Sequence, residues 1–97
     1  MLGKFITFEG GEGTGKSTQI KLLSDFLKLK GKDIILTKEP GGTDIGLELR
    51  RILIEGEVSK LDAEAEALLF FADRRIHMVK KVWPAMKNGS WVLSDRF

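Results

Sequence analysis

Residues 10 to 18 read GGEGTGKST, and no other stretch of the chain limits its fold as strongly. Four of the chain's eleven glycines stand there beside one lysine, one serine and two threonines. The run lies where a β-branched and aromatic segment, KFITFEG (Lys4 to Gly10), hands over to a segment of helical period. Gly10, Gly15, Lys16 and Ser17 fall in the register G-x-x-x-x-G-K-S. Glycines let backbone N–H groups converge on one point without a Cβ in the way, and a helix N-terminus adds the positive end of its dipole. The stretch Gly10, Gly11, Glu12, Gly13, Thr14, Gly15, Lys16, Ser17 and Thr18 therefore reads as a cradle for the phosphates of a nucleoside triphosphate. Lys16 can reach the terminal phosphates, and the Ser17 hydroxyl can ligate the Mg²⁺ that bridges them. Taken by itself, the pattern leaves open a flexible turn that merely caps a helix; the strand before it and the helix after it argue against that.

The remainder alternates between the same two element types. From Lys16, Ile20, Leu23 and Leu27 recur three or four apart until Gly31 supplies a stop. DIILTKE (Asp33 to Glu39) is short, apolar and β-branched, and EPGGT breaks it. Leu49 and Ile52, with Leu47 or Ile45, predict a second helix over Ile45 to Ile54. A third and longer helix starts near Asp62, a good N-cap type, with the apolar stripe Ala65, Leu69, Ala72, Ile76, Val79 and Trp83, and Pro84 should end or kink it. WVLSD (Trp91 to Asp95) is a third apolar strand. Strands alternating with helices predict an α/β fold, a three-layer P-loop arrangement with a parallel sheet, right-handed crossovers, and about three strands and three helices.

Composition narrows the function. The 97 residues hold one domain at most. Sixteen Lys plus Arg against fourteen Asp plus Glu give a net charge of +2, with no run of like charge to favour nucleic acid. There is no cysteine, hence no disulfide scaffold and no thiolate metal site. No apolar run approaches the roughly 20 residues of a membrane span, and the first residues do not form a signal peptide. The expectation is a soluble, cytoplasmic protein with neither nucleic acid nor membrane as a partner.

Three further motifs separate this chain from a generic phosphate-loop protein: TKEPGGT (Thr37 to Thr43), LLFFADRR (Leu68 to Arg75) and SDRF (Ser94 to Phe97). With FEGGEGTGKST, in this order and spacing, they resemble the thymidylate kinase family, bacterial type, over essentially the whole chain. One departure is Lys38, where bacterial members commonly carry Arg; charge is kept but bidentate geometry is lost.

The resemblance implies transfer of the ATP γ-phosphoryl group to thymidylate (dTMP), giving ADP and dTDP, with Mg²⁺ as cofactor and ATP and dTMP as partners. It implies that Phe70 stacks on the acceptor base while Arg74, one helical turn on, hydrogen-bonds the base edge; on residue types alone, Phe70 as core and Arg74 as solvated would be the simpler account. Asp95, ending an apolar strand, is expected to hold the metal, and Arg96 to contact the acceptor phosphate; a solvated Asp-Arg pair is the bland alternative. Lys16, Asp95 and Arg96 thus form the expected catalytic set, and Ser17 and Asp95 the metal set. Glu12 is implied to reach the 3′-hydroxyl of the acceptor sugar, Glu39 and Pro40 to line its pocket in the tight EPGGT turn with a cis Glu39-Pro40 bond, and Arg50 to be a weaker phosphate contact that an exposed helical role fits equally well. His77 reads as a solvated residue on a charged face, the acidic DAEAE (Asp62 to Glu66) as complementing a helix dipole, and Met78, Trp83 and Met86 as packing residues.

By the same resemblance, residues 1–97 are the N-terminal part of one nucleoside monophosphate kinase domain. The lid and the adenine loop lie beyond Phe97. No basic residue occupies Glu12, Gly13 or Thr14, so the catalytic arginine belongs to the lid. These residues alone are expected to be inactive, with the first strand left as an unprotected sheet edge. A homodimer through the helices around residues 45–85 is also implied. Two other readings stay open: a phosphate-loop module or switch ATPase that transfers nothing to a small molecule, and a kinase for another nucleoside monophosphate. The N-K-x-D motif of guanine readers is absent.

Overall fold

The computed structural model describes residues 2–11, 15–55 and 61–96. Three strands, β1 (Phe5–Phe8), β2 (Ile34–Lys38) and β3 (Trp91–Asp95), form a parallel sheet in the order β1-β3-β2. The helices between them are α1 (Lys16–Leu29), α2 (Asp44–Arg50), α3 (Ala63–His77) and α4 (Trp83–Lys87). This is the expected α/β class; the first two strands are shorter than expected by a residue or two at each end, and the third has the expected bounds.

The central strand is the most deeply buried of the three for a physical reason: both of its faces are covered. Val92, Leu93 and Ser94 are fully buried. Side chains alternate across a strand. Val92 accordingly packs with Val82 and Ala85, with Phe5, Ile35, Met78 and Met86 around them, while Leu93, on the opposite face, lines a cleft beside Ile20 and Ser24 of α1. Met78 and Met86 are thus packing residues as expected, whereas Trp83 is about half exposed beneath the Arg75 guanidinium, 5.5 Å from its ring.

Asp62 caps α3 by accepting from the Ala65 N–H at 2.7 Å, and Thr43 caps α2 by accepting from Gly46 N–H at 2.9 Å. Glu64 and Glu66 occupy the first turn of α3, where the dipole favours them. Of the two outcomes expected at Pro84, an end or a kink, the helical path does not end there: α3 gives way after His77 to a wide π-type stretch, Met78–Val82, and the path continues through α4 to Lys87. Pro84 sits in the first turn of α4, where its missing N–H costs least. The buried side of α3 is also not the apolar stripe: Ala72, Val79 and Trp83 face outward, and the fully buried residues are Asp73 and His77. Likewise, the Ile45, Leu47 and Ile52 of the second helical segment are exposed.

The register brings Phe8 and Lys38 level with Asp95. The loops leaving all three strands therefore meet at one end of the sheet, the C-terminal end at which open α/β sheets bind ligands.

Candidate functional site

The site is built from the three loops at that end. After β1, the described part of the glycine loop includes Gly10 and Gly11; the expected loop residues Glu12, Gly13 and Thr14 lie outside the described residues. Gly15 closes the loop as the residue before α1, with φ 81°, a left-handed conformation that glycine adopts without Cβ strain. Among the described residues no side chain caps this helix end, and no acidic residue stands in its first turn. Its N–H groups and dipole are thus left for an anion.

Lys16 and Asp95 face each other here, Nζ to Oδ1 at 2.5 Å. The Lys16 side chain is mostly buried and that of Asp95 is 40% exposed. Asp95 Oδ1 is buried, and among the described residues the Lys16 ammonium is the cation it faces while no hydrogen-bond donor meets it. An oxygen in that condition, with the Ser17 hydroxyl lining the same cavity, suits Mg²⁺, a hard cation that takes one carboxylate and completes its shell with phosphate oxygens and water. Among the described residues no cluster of three or more His, Cys, Asp or Glu could hold a metal by itself. The donor set fits an ion delivered with a phosphate.

Beyond β3, Arg96 has φ 73°. A bulky side chain pays for such backbone only where its surroundings hold it, and here the Arg96 N–H donates to Phe8 O at 2.9 Å while the Ser94 hydroxyl donates to Arg96 O at 2.7 Å. The exposed side chain is carried into two adjoining cavities. One, of about 580 Å³, holds Gly11, Gly15, Lys16, Ser17, Thr18, Arg50 and Asp95; the other, of about 510 Å³, holds Phe70 and Arg74; Glu39, Pro40, Ile54 and Arg96 line both. A larger apolar cleft of about 640 Å³, between α1 and β2, shares Ser17, Lys38 and Asp95 with the phosphate-loop cavity.

The EPGGT loop after β2 forms the wall between the two cavities. Its Glu39-Pro40 peptide is cis, as expected. Glu39 is 8% exposed, and both carboxylate oxygens are used: Oε1 accepts from Arg74 Nε at 3.1 Å, and Oε2 lies 2.7 Å from His77 Nδ1. His77 Nε2 lies 2.7 Å from Thr37 Oγ1. The Gly41 N–H donates to Asp73 Oδ1 at 3.1 Å, Arg50 donates to Pro40 O at 3.0 Å, and Lys81 donates to Gly42 O at 3.1 Å. Burial pushes the Asp73 carboxyl above its ordinary 3.8; the Gly41 N–H opposes that rise and the Glu39 charge adds to it.

Arg50 is accordingly a half-buried brace beneath Pro40 as well as a wall of the phosphate-loop cavity, not a freely solvated helical residue. The solvated reading of His77 is overturned: its side chain has no exposure. Asp73, His77, Thr37 and Lys81 are the functional neighbourhood that sequence reasoning missed. One signal was available, since Arg74 and His77 stand three apart and Asp73 and His77 four apart, so they share a helix face.

A glycine loop running into an uncapped helix, with its lysine against a strand-end carboxylate, defines a P-loop nucleotide-binding protein of the α/β class. The family model described as thymidylate kinase matches residues 8–97, and the chain belongs to that family. It is 50% identical over 97 residues to a thymidylate kinase of Rhizorhabdus wittichii, covering all of this chain and 47% of the relative, and 52% identical to one of Nitrosospira multiformis with the same coverage. The crystal structure of thymidylate kinase from Ehrlichia chaffeensis superimposes with a TM-score of 0.86 at 40% identity, covering all of this chain and 55% of that one. The chain thus spans about half the length of the curated relatives it matches.

Proposed function

We propose that the protein to which this chain belongs is an ATP:thymidylate phosphotransferase, of which residues 1–97 supply the N-terminal part of a single kinase domain. The observation that carries this reading is the pair of adjoining cavities with Glu39, Pro40, Ile54 and Arg96 as a common wall. A donor triphosphate in the first and a flat acceptor base in the second would bring the acceptor's phosphate to that wall. There Arg96 and Arg50 offset the repulsion between the two anions. Phe70 stacks on the base and Arg74 hydrogen-bonds its edge. An oxygen of the acceptor phosphate attacks the γ-phosphorus, and the bond to the ADP oxygen breaks. Lys16 and the loop N–H groups stabilise the charge that spreads over the transferring group.

Ser17 and Asp95 would hold Mg²⁺ against the phosphates, where the ion neutralises part of their charge. By family resemblance, Glu12 serves the 3′-hydroxyl of the acceptor, and the lid arginine and adenine loop come from the remainder of the protein. The cytoplasm, where ATP is abundant, is the compartment such a reaction calls for. Among the described residues no helix is long and apolar enough to cross a membrane. A homodimer through the segment 45–85 is supported by its exposed apolar residues, Ile45, Leu47, Ile52, Leu68, Phe71, Val79 and Trp83.

The test is Phe70→Ala in the full-length enzyme. Loss of a stacking platform worth about 1–3 kcal/mol should raise the Michaelis constant for thymidylate on the order of 10- to 100-fold while leaving that for ATP nearly unchanged. A loss of thermal stability with both constants unchanged would show Phe70 to be core. Turnover of ATP without dependence on any nucleoside monophosphate would sink the kinase assignment itself.

A further inference from the structure

Arg74 and His77, three residues apart on one face of α3, take one oxygen each of the Glu39 carboxylate. The carboxylate can only accept, so His77 Nδ1 carries a hydrogen and donates it to Oε2. Across the ring, Nε2 is tied to Thr37 on β2, 2.7 Å away. The result is an unbroken chain, Thr37–His77–Glu39–Arg74, that starts in the sheet and ends in the cavity that holds Phe70.

From this geometry we infer that the chain is the device that orients Arg74 toward the acceptor base, and that Glu39, His77 and Thr37 are positioning residues rather than substrate contacts. The inference rests on the reading of Arg74 as an acceptor contact given above. Glu39 is almost entirely buried and both of its oxygens are engaged, so it is committed to the protein instead of a ligand. It also has little freedom to turn away. The loop that carries it is clamped by Asp73 at the Gly41 N–H and by Lys81 at Gly42 O, and the His77 ring fits beneath Gly42 so closely that a Cβ there would lie 2.5 Å from Cδ2. A guanidinium held at Nε has its plane set, because its donors form one rigid fork. An unheld arginine would have to be ordered each time the base binds, at a cost in affinity.

The order hydroxyl, imidazole, carboxylate also occurs in nucleophilic triads. Here the second carboxylate oxygen continues to an arginine, so the chain transmits position and not a proton.

The experiment compares His77→Gln, His77→Asn and Thr37→Val in the full-length enzyme, alone and in an Arg74→Ala background. An asparagine amide reproduces the ring donor at Nδ1, whereas a glutamine amide lies nearer Nε2 and leaves Glu39 unmet. His77→Gln is expected to raise the Michaelis constant for thymidylate about tenfold, equivalent to about 1.4 kcal/mol, with kcat and the constant for ATP within about twofold of wild type. His77→Asn should recover most of that loss, and Thr37→Val should show a smaller rise of about threefold. In the Arg74→Ala background His77→Gln should add nothing, since its effect passes through the missing side chain. A folded His77→Gln or Thr37→Val with an unchanged thymidylate constant overturns the inference, as does a full additive effect on top of Arg74→Ala. If His77→Gln does not fold, Thr37→Val decides. If Arg74→Ala itself leaves the thymidylate constant unchanged, the acceptor reading of Arg74 fails and the inference with it; if only the His77 and Thr37 variants are silent, the inference alone fails.

Discussion

Gly42→Ala is the substitution whose cost the structure specifies most closely. A Cβ at this position would lie 2.5 Å from His77 Cδ2, 2.6 Å from His77 Nε2 and 2.7 Å from Lys38 O, where ordinary contacts of that kind run from 3.4 to 4 Å. Something must therefore retreat by roughly 1 Å. The Lys38 carbonyl belongs to β2, and the His77 ring has no exposure and is bonded at both nitrogens, so neither yields freely. Overpacking of a tight site costs about 1–3 kcal/mol. Displacing the ring far enough to lose one of its hydrogen bonds adds about 1 kcal/mol. The expected loss is about 3 kcal/mol, or about 6–12 °C in melting temperature for a protein of 150–250 residues, measured by thermal unfolding of the full-length protein. The double variant Gly42→Ala/His77→Ala supplies the decisive comparison. With the ring truncated, two of the three close contacts vanish, and the added cost of Gly42→Ala should fall to about 1 kcal/mol. An unchanged melting temperature for the single variant, or additivity within about 0.5 kcal/mol in the double variant, would refute this account of the loop.

Lys16→Ala in the full-length enzyme should lower kcat by roughly 10²- to 10³-fold, read from ADP release at saturating thymidylate. Stability should change by no more than about 1 kcal/mol, because the Lys16–Asp95 pair is partly exposed. Asp73 predicts a pH effect with a definite sign. Its folded pKa is raised above 3.8 by burial, so the native state binds more protons than the unfolded one; the contribution of Asp73 is fully present below pH 3.8 and is lost as pH rises through the folded pKa. Asp73→Asn should remove that component from the slope of unfolding free energy against pH, measured by denaturant titration from pH 3 upward; identical slopes for the two proteins would refute it.

Much of this protein was legible in its residue order because the relevant physics is local. A glycine run between a β-branched segment and a helical period can hardly be anything but an anion loop, and the three strands, the Asp62 cap and the turn at EPGGT follow from short-range chemistry in the same way. Where the reading failed, the cause was long-range. Hydrophobic periodicity finds the side of a helix that meets apolar partners, and the inner side of α3 meets a loop whose backbone and carboxylate need hydrogen bonds. Asp73 and His77 are buried there because Gly41 and Glu39, more than thirty residues earlier, require an acceptor and a donor respectively. No stripe could reveal that. The same holds for Arg96, whose left-handed backbone is held by Phe8 across the sheet, and for Pro84, which follows a five-residue wide turn, Met78–Val82, in the helical path. Local residue types therefore determined that a phosphate loop and a parallel sheet would form. Which polar groups share the space at the sheet's end was decided by the packing of α3 against the EPGGT loop, since a buried donor or acceptor must find its partner wherever the fold brings one within reach.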